Sequence, residues 1–212
     1  MDTYNVTMKL SSYIAHPYWP ELSELIEIQK RSGMNRARSD DKRESALANY
    51  LKKAGLDMVY YQKLQKAVTR HWYRVNNDDP NTSIIIPKHQ VDGMLSSACN
   101  DAPAGSRFDP NDVRVLITTT DFITDRKQSD GVYSRFVTIK DARGNTLSNQ
   151  KQLAKNEYIK DALATGTITI DPNEVKAGAV KALLEYALRR VGVGAARKMG
   201  YGRGDVITFE KA

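Results

Sequence analysis

The chain has 212 residues, 32 Lys and Arg against 25 Asp and Glu, a formal net charge of +7, one cysteine and three histidines. That length suits a single domain with insertions, and the basic balance favours an acidic partner such as nucleic acid. A lone Cys99 excludes an internal disulfide framework, and with so few histidines no zinc-ligand spacing exists. No apolar run is long enough for a bilayer and the first ten residues lack a signal-peptide order, so the sequence suits a reducing cytoplasm with no membrane partner.

Tyr4 to Ile14 alternates and is rich in strand formers, which predicts a first strand. His16, Pro17, Tyr18, Trp19 and Pro20 interrupt it. Their rings offer either a platform for unpaired bases or, especially for Trp19, packing of a loop onto the core. Leu22, Leu25, Ile26 and Ile28 then recur at helical spacing over Glu21 to Gln29. The following KRSGMNRARSDDKRES segment carries Lys30, Arg31, Arg36, Arg38, Lys42 and Arg43 with few apolar residues. It reads as a mobile basic loop, either ordered by a polyanion or simply solvated.

Ser45 to Arg70 reads as two helices divided near Gly55, with Leu47, Tyr50 and Leu51 on one and Met58, Tyr61, Leu64 and Val68 on the other as core stripes. His71, Trp72, Tyr73 and Arg74 precede the turn NNDDPN. No partner for His71 as a base is visible, and its structural role is favoured. Ile84 to Ile86 suits a buried strand, Pro87 ends it, and Val91, Leu95 and Ala98 continue at helical spacing. Lys88 and His89 thus open a helix, where amides and dipole favour an anion; a plain strand-to-helix turn is the alternative.

Asp112 to Thr119 alternates and predicts another strand. Arg126 to Lys160 is polar, with a hairpin expected on Tyr133 to Lys140 and the turn DARGN, as a projecting arm. Thr165 to Asp171 predicts a strand, and Asp171 with Pro172 opens a helix whose stripe runs Val175, Ala179, Val180, Leu183, Leu184, Ala187 and Leu188. Val206 to Phe209 supplies a last strand.

Between that helix and that strand lies VGVGAARKMGYGRGD, Val191 to Asp205, with Gly192, Gly194, Gly200, Gly202 and Gly204 interleaved with Arg197, Lys198 and Arg203. One glycine is explained as a helix terminator. Five with three cations point to a phosphate-holding loop, since glycine reaches unusual backbone angles and admits an outside group to the amides.

The order of elements is that of an α+β protein. The tail GVGAARKMGYGR resembles the C-terminal glycine-rich loop of the RAMP superfamily of CRISPR-associated proteins, which also follows a helix and precedes a strand. IIIPKHQVDGMLSSA resembles that family's strand-proline-helix motif, with Lys88 and His89 in place of its Gly and Ser and Gly93 retained. The resemblance implies a ferredoxin-like (RNA-recognition-motif-like) antiparallel sheet over residues 1–212, with a helical insertion and basic loop at 20–75 and a thumb-like hairpin at 121–160. It is strongest to the repeating backbone subunit of multi-subunit CRISPR effectors. That implies binding of guide RNA (crRNA), partnership with other effector subunits and with copies of itself along the RNA, and neither cofactor nor metal. Such a subunit reads backbone and shape, because pairing reads the sequence. The expected RNA contacts are Gly192, Gly194, Arg197, Lys198, Gly200, Gly202, Arg203, Lys88, His89, Arg36, Arg38, Lys42 and Arg43.

Three alternatives stay open. The same superfamily contains guide-processing endoribonucleases, for which His16 with Tyr13 would move the protons of a metal-free cleavage, and Asp40 or Asp41 with a metal ion is a variant of that reading. A phage-encoded mimic that blocks a CRISPR complex is another. A nucleotide-binding enzyme is disfavoured, because its glycine loop would follow a strand and open a helix.

Overall fold

A computed structural model describes residues 1–15, 20–68, 71–140 and 146–212. The chain divides into two compact units, one formed by Met1–His16 with Trp72–Ala212 and the other by Pro17–His71. The expected turn at 141–145 lies outside the described residues, as do His16, Tyr18 and Trp19.

The first strand, β1 (Asp2–Tyr13), buries Val6, Met8 and Leu10 and exposes Asn5, Lys9 and Ser11, the two-residue period of a sheet with one covered face. The inserted unit follows with α1 (Pro20–Ser32), α2 (Asp40–Lys53) and α3 (Met58–Val68). Leu25, Ile28, Leu47, Leu51, Tyr61 and Leu64 form its core. Gly55, at φ 69°, ends α2: its N–H bonds the Lys52 carbonyl and the Leu56 N–H bonds the Leu51 carbonyl, closing the helix as a left-handed glycine cap does.

The chain then adds β2 (Tyr73–Arg74), β3 (Ile84–Ile86), α4 (Lys88–Ala98), α5 (Pro110–Leu116), β4 (Ile117–Thr119), β5 (Phe122–Thr124), β6 (Gly131–Lys140), β7 (Thr146–Ile170), α6 (Ala177–Arg190) and β8 (Gly204–Lys211). Together these make an α+β unit whose sheet runs β2-β3-β5-β7-β1-β8, with β4 and β6 also pairing to β7. Every pairing is antiparallel. β1 sits between β7, in register from Asp2 opposite Ile170 to Tyr13 opposite Ile159, and β8. Val180, Leu183, Leu184, Ala187 and Leu188 of α6 pack with Val91, Met94 and Leu95 of α4 and the inward residues of β1 in one buried cluster. No described helix is long and apolar enough to cross a membrane.

Four expectations are corrected. The basic segment after Gln29 is largely ordered rather than a loop: α1 continues to Ser32, Met34–Arg36 is a 3-10 turn, and α2 begins at Asp40. Ser39, extended, stands at the cap position, and Asp40 and Asp41 fall in the first turn, where the dipole favours acids. Asp112 to Leu116 is helical, because Asp109 accepts the Asn111 N–H (2.8 Å) and Pro110 occupies the first turn, so only Ile117–Thr119 is extended. Asp171 caps a separate turn through the Asn173 N–H (3.0 Å), and α6 starts later, after buried Val175 and extended Lys176. Lastly, the strand expected at Thr165 is the end of a 25-residue strand, β7, whose first part pairs with β6 as the hairpin.

Candidate nucleic-acid interface

α6 ends where Gly192, at φ 79°, donates its N–H to the Ala187 carbonyl (2.8 Å), which is the helix-terminating role. The chain then lies down on the end of β1. Ala195 donates to the Ile14 carbonyl (2.8 Å), Gly202 to the Ser12 carbonyl (2.7 Å) and Val193 to the Gly202 carbonyl (2.9 Å), while the Ser11 N–H bonds the Arg203 carbonyl (3.0 Å). A Cβ on Gly202 would overlap the Val193 backbone, and one on Gly194 would overlap the Ile14 carbonyl and the Tyr13 ring. The close approach that these two glycines permit is therefore made by the chain's own backbone. This corrects the expectation that they admit an outside group: four of the loop's amides, those of Gly192, Val193, Ala195 and Gly202, face inward to carbonyls.

What faces outward is charge. Arg197 and Lys198 lie on a 3-10 turn (Arg197–Met199) at the loop tip, between Ala196 at φ 55° and Gly200 at φ 90°, and both are exposed. Arg203 is exposed beside the pinned root. None of the three forms an ion pair among the described residues, whereas Arg189 at the end of α6 is held by Asp205 (2.9 Å). Four hydrogen bonds hold the backbone that carries these cations, so the ordering that a polyanion must impose falls on their side chains rather than on the loop root.

Aromatic rings adjoin this loop. Tyr201 packs its ring 5.2 Å from that of Tyr133 on β6 and 6.2 Å from that of Tyr158 on β7, tilted by 48° and 55°. The Lys160 ammonium lies 5.3 Å from the Tyr158 ring centre. Tyr158 lies over Gly131, its cross-strand partner, where a Cβ would come within 2.7 Å of the phenol oxygen. Partial burial, then the neighbouring Tyr158 and Tyr133, push the Tyr201 phenol up. None of Tyr201, Tyr158 and Lys160 is among the contacts expected from the sequence. The sequence does place Tyr201 between two loop glycines, but nothing in it shows which rings it meets.

The chain is similar to several solved structures. It covers 99% of its own length and 61% of a chain in a cryo-EM structure of the Type III-B Cmr-beta bound to cognate target RNA, with 11% identity and a TM-score of 0.47. It is also similar to Cmr6 from Pyrococcus furiosus, with 11% identity, a TM-score of 0.31 and coverage of 99% of this chain and 97% of that one. A chain of a CRISPR RNA-guided surveillance complex, pre-nicking, matches at 12% identity and a TM-score of 0.27, over 96% and 73%. This chain thus spans less than two thirds of the Cmr-beta chain. No family model and no curated protein sequence matches it.

The remaining expected residues fall elsewhere. At the start of α4 the Lys88 N–H is taken by the Asp121 carboxylate (2.7 Å), the Lys88 ammonium pairs with Asp92, and His89 packs its ring against Tyr73 (5.7 Å). The anion place at this helix start already holds an acid of the chain. Arg36, Arg38, Lys42 and Arg43 belong to the inserted unit and are exposed. Arg43 is engaged by Asp40 (3.1 Å) and the Ala37 carbonyl, while Arg36, Arg38 and Lys42 form no ion pair among the described residues. Tyr13, named as a possible proton carrier, is corrected to a core residue: it is fully buried, donates its hydroxyl to Gln90 (2.9 Å) and packs beside Trp72, and burial drives its phenol far up. Asp40 and Asp41 belong to no group of three metal-ligating side chains among the described residues.

Proposed function

We propose that this chain is a guide-RNA-binding backbone subunit of a multi-subunit CRISPR effector complex, assembling with other subunits and with copies of itself along the RNA and contacting phosphates without reading bases. The observation that carries the proposal is the glycine loop: a rigid backbone pinned to Ser12 and Ile14, with Arg197, Lys198 and Arg203 exposed on it and no acid of the chain engaging them among the described residues. The strand order β8-β1-β7-β5, with α4 and α6 packed together, agrees with the ferredoxin-like arrangement that the motifs imply. A net charge of +7 agrees as well. Arg36, Arg38 and Lys42 are proposed as further phosphate contacts in the inserted unit, whereas the phosphate role of Lys88 and His89 has the Asp121 carboxylate against it.

Of the pair named for the endoribonuclease alternative, Tyr13 is buried and bonded to Gln90, which disfavours it as a proton carrier, and His16 lies outside the described residues. The test is a salt titration of single-stranded RNA binding. Affinity should fall steeply with salt, and the slope should drop by about one for each phosphate-bound cation replaced by alanine. Binding that is indifferent to salt sinks the proposal.

A further inference from the structure

Resting on the RNA-binding reading above, the geometry points to Tyr201, Tyr133 and Tyr158 as a stacking step that takes an unstacked base, so that the site selects single-stranded RNA over duplex. Four observations meet here. The rings come from three places far apart in the chain, the glycine loop, β6 and β7, yet converge within 5.2 and 6.2 Å of one another. They are half-buried and stand outside the main apolar cluster, so core packing does not account for them. Tyr158 rests on Gly131 and has Lys160 at its ring, so it backs the step; Tyr201 meets Tyr133 at a tilt of 48° and Tyr158 at 55°, and neither Tyr201 nor Tyr133 is stacked face to face on another ring among the described residues. Finally, Lys160 sits at the Tyr158 ring, and Arg203 follows Tyr201 by two residues, so cations flank the rings as the phosphates on either side of a stacked base require.

The position on the sheet supports this. β1 ends at Tyr13, whose side chain meets Gln90 on the helix-covered face, and Ile14 follows it outside the strand. Ile14 is 1% exposed, stands outside the main cluster and accepts the Ala195 N–H, so the root of the glycine loop lies against this end of β1. Tyr158 precedes Ile159, where the pairing of β7 with β1 ends, and itself pairs with Gly131 of β6. In a duplex every base face is occupied by its neighbours, while in a single strand each base offers one, and base-on-ring stacking tolerates any base.

The experiment compares two labelled oligomers of equal length by fluorescence anisotropy on the full chain, an oligouridylate and the same ribose-phosphate strand without bases. Their charge is equal, so the phosphate contribution cancels. The oligouridylate should bind about tenfold tighter. Tyr201→Leu and Tyr133→Leu should bring that ratio close to one while leaving the salt dependence of the base-free strand untouched, and Tyr201→Trp should keep it. Equal affinity of the two oligomers for the unmodified chain overturns the stacking step and leaves the phosphate site standing, and so does a ratio that survives in the leucine variants. Binding of neither oligomer overturns the RNA-binding reading itself.

Discussion

The glycine loop after α6 and the turn into α4 read alike in the sequence, as small or basic residues beside a helix end, yet the chain treats them in opposite ways. At α4 an acid of the chain, Asp121, takes the first amide and Asp92 takes the Lys88 ammonium. At the loop, the carbonyls of Ser12, Ile14, Ala187 and Gly202 take the amides, and the cations are left to solvent. A phosphate arriving at the first must displace a carboxylate. At the second it meets unpaired charge on a fixed backbone. Anion-site motifs therefore need a second question, namely what the chain already puts there.

The comparison breaks most visibly if the loop is not pinned. Gly202→Val adds a branched side chain where φ is 77° and where even a Cβ overlaps Val193, so the loop must leave Ser12. Denaturant unfolding should show a loss of about 3 kcal/mol or more. A Gly202→Val protein as stable as the parent would mean that the root is loose. Next in size is the effect of charge. Arg197→Ala with Lys198→Ala touches exposed side chains only, so stability should stay within about 0.5 kcal/mol while RNA affinity falls about tenfold or more. Lys88→Ala, measured beside it, should change RNA affinity by less than about twofold. Equal losses in the two variants would erase the distinction between the sites.

How far all this was legible follows from which forces act locally. The alternation of Val6, Met8 and Leu10, the Ile84–Ile86 run, the break at Gly55 and the α6 stripe were readable, because burial imposes a period on the sequence itself. The misread segments are places where a short helix-start pattern outweighs a longer one: Asp109 and Pro110 turn an alternating Val-Arg-Val-Leu into helix, and Asp40 and Asp41 in the first turn favour helix in a basic run. In the site the cations and glycines could be counted. Their partners could not, since Ser12 and Ile14 lie at the other end of the chain and Tyr133 and Tyr158 on the hairpin, and only the pairing of β1 with β7 and the loop brings them together.

The smallest expected effect tests the α4 turn from the acid's side. The Asp121 carboxylate accepts the Lys88 N–H at the positive end of an 11-residue helix, so it supplies both a hydrogen bond and a favourable charge. Asp121→Asn keeps an oxygen acceptor and removes the charge, and it should cost well under about 1 kcal/mol. Asp121→Ala removes both and should cost about 1 kcal/mol, read as a lowered denaturation midpoint with an unchanged slope. RNA affinity is the deciding readout. If the turn is closed by the chain's own acid and takes no part in binding, both variants should bind RNA as the parent does, because the dominant contacts stand on the loop. If the turn is instead a phosphate site held in check, Asp121→Ala frees an amide and removes a repelling charge, affinity rises several-fold, and Lys88→Ala in the same chain cancels the gain. That second outcome would place two phosphate sites on the sheet unit and end the contrast between them.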